Sequence, residues 1–130
     1  MFGNFVLNFG GYDSGIFALA NPKKIVVSPS NNLFVIDGSN IIVFDQYGNG
    51  INIMKTEYNI KSINITFNNL LLNSVDRIFM SNLKSGDFKF SELKTEDEKA
   101  VLPIISSLIF NGKLYILNQN GIRIYGLVKS

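Results

Sequence analysis

Leu114-Tyr115-Ile116-Leu117-Asn118-Gln119-Asn120-Gly121-Ile122-Arg123-Ile124-Tyr125 is the stretch on which the fold turns. Two short runs of strand-forming residues flank a polar, flexible centre, and the second run alternates with a period of two. Asn120-Gly121 signals a tight hairpin, because both central residues of a type I′ turn need φ > 0. Upstream, Asn111-Gly112 separates Ser107-Leu108-Ile109-Phe110 from Leu114 in the same way. Three consecutive antiparallel strands result, with Gly112 and Gly121 in structural turns.

Working outward, the unit recurs. Leu33-Phe34-Val35-Ile36, Asp37-Gly38-Ser39-Asn40 and Ile41-Ile42-Val43-Phe44 align with it without a gap. So do Leu70-Leu71-Leu72-Asn73, Ser74-Val75-Asp76-Arg77 and Ile78-Phe79-Met80. A short strand precedes each unit, at 24–27, 62–65 and 107–110. A fourth follows the first two, at 51–54 and 88–93, the latter alternating Phe88 and Phe90 with polar neighbours as an outer strand with one wet face should. A period near 40 with four strands per repeat reads as the blades of a β-propeller. The expected fold is therefore all-β, with four-stranded antiparallel blades and about three blades in the chain. The blades fall at 21–55, 60–93 and 104–126, within residues 1–130 as one partial or half propeller.

Residues 4–9 align with 49–54, so the chain is expected to begin with an outer strand, while the last blade holds three strands. Three blades cannot close a ring, since propellers run from about four to eight. Open ends expose apolar blade faces. Closure then falls to a second copy, each N-terminal strand pairing into the partner's last blade to give six blades, or to the remaining blades of a longer chain, or to another protein.

Composition limits the chemistry. Hydrophobic residues make up 46% of the 130, so the chain can build a core. Twelve Lys and Arg are scattered against ten Asp and Glu, without the basic stripe of a nucleic-acid binder. There is no Cys and no His, which removes disulfides, thiolate nucleophiles and the commonest general base and metal ligand. No apolar run approaches the ~20 residues that span a bilayer. A soluble protein is expected, extracytoplasmic if the natural N-terminus is longer than the one shown.

Residues 2–51 resemble the NHL-type repeat of six-bladed propellers. The resemblance lies in Phe2-Gly3-Asn4-Phe5-Val6, Phe9-Gly10-Gly11, Phe17 and Asn21-Pro22-Lys23-Lys24-Ile25-Val26-Val27. It continues through Asn32-Leu33-Phe34-Val35-Ile36-Asp37 and Ile41-Ile42-Val43-Phe44-Asp45-Gln46-Tyr47-Gly48-Asn49. Ser74 and Asn118 stand where Asp37 does, and the later repeats lose the Phe-Asp-x-x-Gly turn. The resemblance implies a non-catalytic binding or scaffold module for proteins and sometimes RNA; with the charge scattered, protein partners and no nucleic acid are expected, and no cofactor or metal. The alternative it implies is a fragment of a metal-dependent hydrolase or lyase of the lactonase kind, with its site completed elsewhere. No ligand set of such an enzyme can be carried over to this chain.

The charged positions divide between structure and function. Asp37, Asp45 and Gly48 sit in recurring turns, where a carboxylate accepts backbone N–H bonds, against a reading as metal or substrate ligands. Glu96, Asp97 and Glu98 lie in the longer second linker, either a partner-binding loop or a solvated insertion. Arg77 and Arg123 stand at similar places beside the second turn, as a shared face or as blade-edge residues paired with carboxylates. The glycine-rich stretch Phe9 to Gly15 has no helix to follow it and reads as a flexible link.

Overall fold

The computed structural model describes residues 3–127. Met1, Phe2 and residues 128–130, which include the ends of the 1–130 unit and the first residue of the repeat resemblance, lie outside them. Eleven strands form three antiparallel sheets. The first holds β1 (Pro22–Val27), β2 (Leu33–Asp37), β3 (Asn40–Phe44) and β4 (Gly50–Lys55) in sequence order. The second holds β5 (Ser62–Thr66), β6 (Asn69–Asn73), β7 (Ile78–Asn82) and β8 (Ser91–Leu93). The third has three strands, β9 (Ile104–Phe110), β10 (Lys113–Asn118) and β11 (Gly121–Gly126). Each sheet is an up-and-down meander, as short apolar runs joined by tight turns dictate.

The sheets stack face to face in chain order, with β1 near β5 and β5 near β9. Alternation along each strand divides its side chains between two joints. Phe34, Ile36, Ile41 and Val43 of the first sheet meet Ile63, Leu70, Leu72 and Phe79 of the second. Leu71 and Ile78, on the second sheet's other face, meet Ile104, Ile109, Leu114 and Ile116 of the third. The linker between sheets plugs each joint: Ile60 is buried in the first and Val101 in the second.

The second joint also carries a polar seam. Asn73 is fully buried; its Oδ1 accepts from Ser107 Oγ at 2.9 Å and its Nδ2 donates to the Ser74 carbonyl at 3.0 Å. Nearby, Asn64 Nδ2 donates to the Ser107 carbonyl at 2.7 Å, and Ser62 and Ser106 hydroxyls lie 2.9 Å apart. Buried polar groups paired this way hold two sheets in one register.

Four details depart from the sequence reading. Residues 4–9 form no strand: they pair with none of the three sheets among the described residues, and an unpaired strand has no independent stability. The outer strand at 88–93 contracts to Ser91–Leu93. Phe88 takes φ of 53° and its ring lies 6.2 Å from that of Phe34, while Phe90 sits 5.4 Å from Phe79. Burying a Phe is worth about 1.5–3 kcal/mol, more than the ladder hydrogen bonds forgone. The Asn111-Gly112 turn has both φ positive, 55° and 74°, as type I′ requires. At the other hairpin the loop is Gln119-Asn120, and Gly121 opens β11 with φ of 134°. Finally, the glycine-rich link is a folded cap. The Leu19 N–H bonds the Gly10 carbonyl, a 3₁₀ segment spans Tyr12–Phe17, and Phe9, Phe17 and Leu19 pack on Val35, Ile42 and Phe44.

Candidate interaction surface

The turn residues named from sequence have structural partners. Asp37 is buried at the end of β2 and accepts from the backbone N–H groups of Ala20, at 3.0 Å, and Asn21. It thereby clamps the cap onto the first sheet. Asn118, its equivalent in the third sheet, donates through Nδ2 to the carbonyls of Ala100 and Val101 in the preceding linker. Ser74, the equivalent in the second, instead accepts from the Arg77 N–H within its own turn. Replacing Asp37 with Ala should cost about 1–3 kcal/mol, because two donors lose their acceptor at a buried position, and Asp37→Asn less. Chemical denaturation of the three proteins measures this; equal midpoints would refute the clamp.

Asp45 closes its turn by accepting from the N–H groups of Tyr47 and Asn49 and from Asn49 Nδ2. The Asn49 side chain does most to hold its carboxyl below the usual range. Gly48, at φ of 90°, leaves room for the Phe9 ring, which a Cβ there would meet at 2.8 Å.

Each of the two arginines is paired with its own carboxylate. Arg77 lies over the Tyr58 ring, 4.8 Å from its centroid, and pairs with Glu92 at 3.0 Å. Arg123 pairs with Asp97, and Tyr125 Oη donates to Asp97 Oδ1 at 2.6 Å. Of the acidic trio, Asp97 is thus tied down, while Glu96 and Glu98 are exposed. A mixed-charge cleft of about 260 Å³ lies between Arg77, Glu92, Lys94, Glu98 and Lys99. Among the described residues, no group of three or more His, Cys, Asp or Glu is arranged to hold a metal ion.

The hydrogen bond from Tyr125, followed by the field of Arg123, holds the Asp97 carboxyl below its ordinary range. A depressed carboxylate stabilises the fold above the unfolded-state pKa and loses that effect as pH falls through the lower folded-state value. Wild type should therefore melt above Asp97→Asn at pH 7, with the difference closing below about pH 4, the ordinary Asp range. Thermal melts across that window check it; a constant difference would refute the charge's role.

Sequence reasoning expected apolar blade faces at the open ends without naming their residues, and one such face is that of the third sheet turned away from the stack. Tyr115 and Leu117 on β10, Leu108 and Phe110 on β9, and Ile122 and Ile124 on β11 share it by register. Leu117 is 41% exposed, Ile124 56% and Ile122 67%. A hollow of about 230 Å³ opens on it between Ser106, Leu108, Tyr115, Leu117 and Ile122. The signal was available: Tyr115 and Leu117 align with Phe34 and Ile36, which are buried against the next sheet.

Three stacked antiparallel meanders, two of four strands and one of three, have the geometry of β-propeller blades. No family model and no curated protein matches the chain. Solved structures with propeller-like folds do. The extracellular domain of BT4673 from B. thetaiotaomicron matches with a TM-score of 0.62 and 12% identity, over 81% of this chain and 13% of that one. The N-terminal domain of Nup159 matches with a TM-score of 0.51 and 11% identity, over 82% of this chain and 31% of that one. The chain thus spans under a third of the length of either. No helix among the described residues is long and apolar enough to cross a membrane.

Proposed function

We propose that this chain is a non-catalytic propeller module that binds and holds protein, with its ring completed by blades beyond the three described here. The observation that carries the reading is the open apolar face of β9–β11. Six apolar side chains adjoin one another there across three strands, and contiguous exposed apolar patches mark protein contacts. The NHL type of repeat belongs to the same reading, supported by the Asp37 clamp and the Asp45 turn. An extracytoplasmic location would suit the likeness to an extracellular domain.

The test is an apolar dye at submicromolar protein, comparing wild type with the Leu117→Lys/Ile122→Lys double variant. Dye fluorescence should fall several-fold in the variant while its circular dichroism stays unchanged. Equal fluorescence would overturn the reading. A melting scan with calcium, zinc and manganese addresses the metal-dependent hydrolase or lyase: stabilisation by several degrees with any of them would bring that alternative forward.

A further inference from the structure

The two ends of the stack are the two halves of one joint. In both internal joints the chain runs in the same order: outer strand, plugging linker, next sheet. β4 leads through Ile60 into β5, and β8 leads through Val101 into β9. The N-terminal part repeats this order. Residues 4–9 align with β4, the cap at 10–19 plugs the free face of the first sheet, and β1 follows. Among the described residues, this half-joint lacks a sheet for residues 4–9 to complete. The sheet β9–β11 lacks an outer strand, among the described residues, and exposes the apolar face that a plug would cover.

The two halves do not meet within the described residues of one chain. Phe9 is anchored beside Phe44, their ring centroids 5.1 Å apart, on the outer face of the first sheet. The second sheet stands between that sheet and β9–β11. Sheets stack about 10 Å apart, so the crossing is about 20 Å. The six residues from Gly3 to Asn8 reach about 20 Å fully extended, which leaves nothing to lie along β11.

From this complementarity we infer that the open face is covered by the N-terminal half-joint of a second copy, head to tail. Residues 4–9 of one copy add as the fourth strand on β11 of the other. The inference rests on the reading of that face as a protein-binding surface. Phe5 and Val6, 84% and 86% exposed, become part of a sheet, and the partner's backbone satisfies the free edge of β11. A heterologous contact of this kind is used twice in a closed pair, once at each end. The register transfers from the first sheet. There Ile41 faces Met54 and Val43 faces Asn52. Hence Ile122 should face Phe9, and Ile124 should face Leu7, of the second copy.

The chain has no native Cys, so a single designed pair reports the contact. Leu7→Cys/Ile124→Cys places two thiols on one face of adjacent strands, within disulfide reach. Val6→Cys/Ile124→Cys is one residue out of register and points the thiols to opposite faces. Under mild oxidation the matched variant should form covalent species of twice 14.5 kDa on a non-reducing gel, at least ten times faster than the mismatched one. No intermolecular product, or equal rates, overturns the inference, as does a monomer by light scattering of the wild-type chain at every concentration. A monomer whose face still binds the dye means that other protein covers it. A monomer with dye fluorescence unaffected by Leu117→Lys/Ile122→Lys would sink both readings.

Discussion

Leu72→Ala should destabilise the chain by about 2–5 kcal/mol, while Leu117→Ala, the same chemical change, should cost less than about 1 kcal/mol in dilute solution. Leu72 has no exposed surface and packs in the first joint with Ile36, Ile63 and Phe79. Truncation there loses transfer free energy and leaves a cavity that flanking sheets cannot close. Against a total stability of about 5–15 kcal/mol, that loss is a large fraction. Leu117 occupies the matching strand of the third sheet but faces solvent, so little is buried to lose. Urea midpoints of the two variants, read by circular dichroism at low protein concentration, decide it. Equal losses would mean that the face of β9–β11 is as covered as the internal joints. Repeating the pair at high concentration adds a second reading. Association with a second copy stabilises the folded chain by mass action, so the cost of Leu117→Ala should grow with concentration and that of Leu72→Ala should not.

The sequence carried the meanders because their determinants are local. Strand-forming runs and turn residues place β2, β3, β6 and β10 within a residue or two of their observed ends. The contrast between Leu33–Phe44 and its two later copies sufficed to count blades. Long-range aromatic contacts were not legible in the same way. Phe88 and Phe90 alternate as a strand should, yet they turn into the core, where Phe88 meets Phe34 of another sheet, far away in the chain, and Phe90 meets Phe79 on the neighbouring strand. The cap at Phe9–Leu19 looked like a flexible link because its stability comes from Val35, Ile42 and Phe44 rather than from its own pattern. Phe17 even lies where a Cβ on Gly50 would have to be, a contact no local reading can show. Arg77 and Arg123 seemed equivalent by distance from the turn, but the register sets Arg123 level with Phe79, and each arginine finds its own carboxylate. The open face was half legible: strands apolar on both sides announced it, and only the stacking order said which side stayed free.

Asn73→Ala should cost about 2–4 kcal/mol, and most of that should return when Asn73→Leu is combined with Ser107→Ala. Asn73 interrupts an apolar strand where the other repeats carry Ile36 and Leu117. Removing its side chain alone strands the Ser107 hydroxyl without its 2.9 Å acceptor, leaves the Ser74 carbonyl short of a donor, and opens a void. An unpaired buried polar group loses the full desolvation term, whereas apolar groups at both positions remove the Asn73–Ser107 pair together, fill the void and leave only the Ser74 carbonyl short of a donor. A double-mutant cycle on Asn73 and Ser107, read by chemical denaturation, should show coupling of about 0.5–3 kcal/mol, as for residues in direct contact. Additive losses would mean that the seam contributes nothing as a pair. Leucine in place of the seam has a second expected consequence. Asn64 and Asn73 both direct polar groups at Ser107, so they favour one sheet in one register on this side of the second blade. The third sheet's outer face is leucine, isoleucine and tyrosine at that level, and the hydroxyl of Ser106 at its rim is already bonded to Ser62 in the seam. A stack built from similar apolar sheets needs such a difference to know which face meets which. The Asn73→Leu/Ser107→Ala protein should therefore keep its melting temperature within a few degrees but bind more apolar dye and broaden its amide NMR spectrum, the signs of a stack that has lost its unique order.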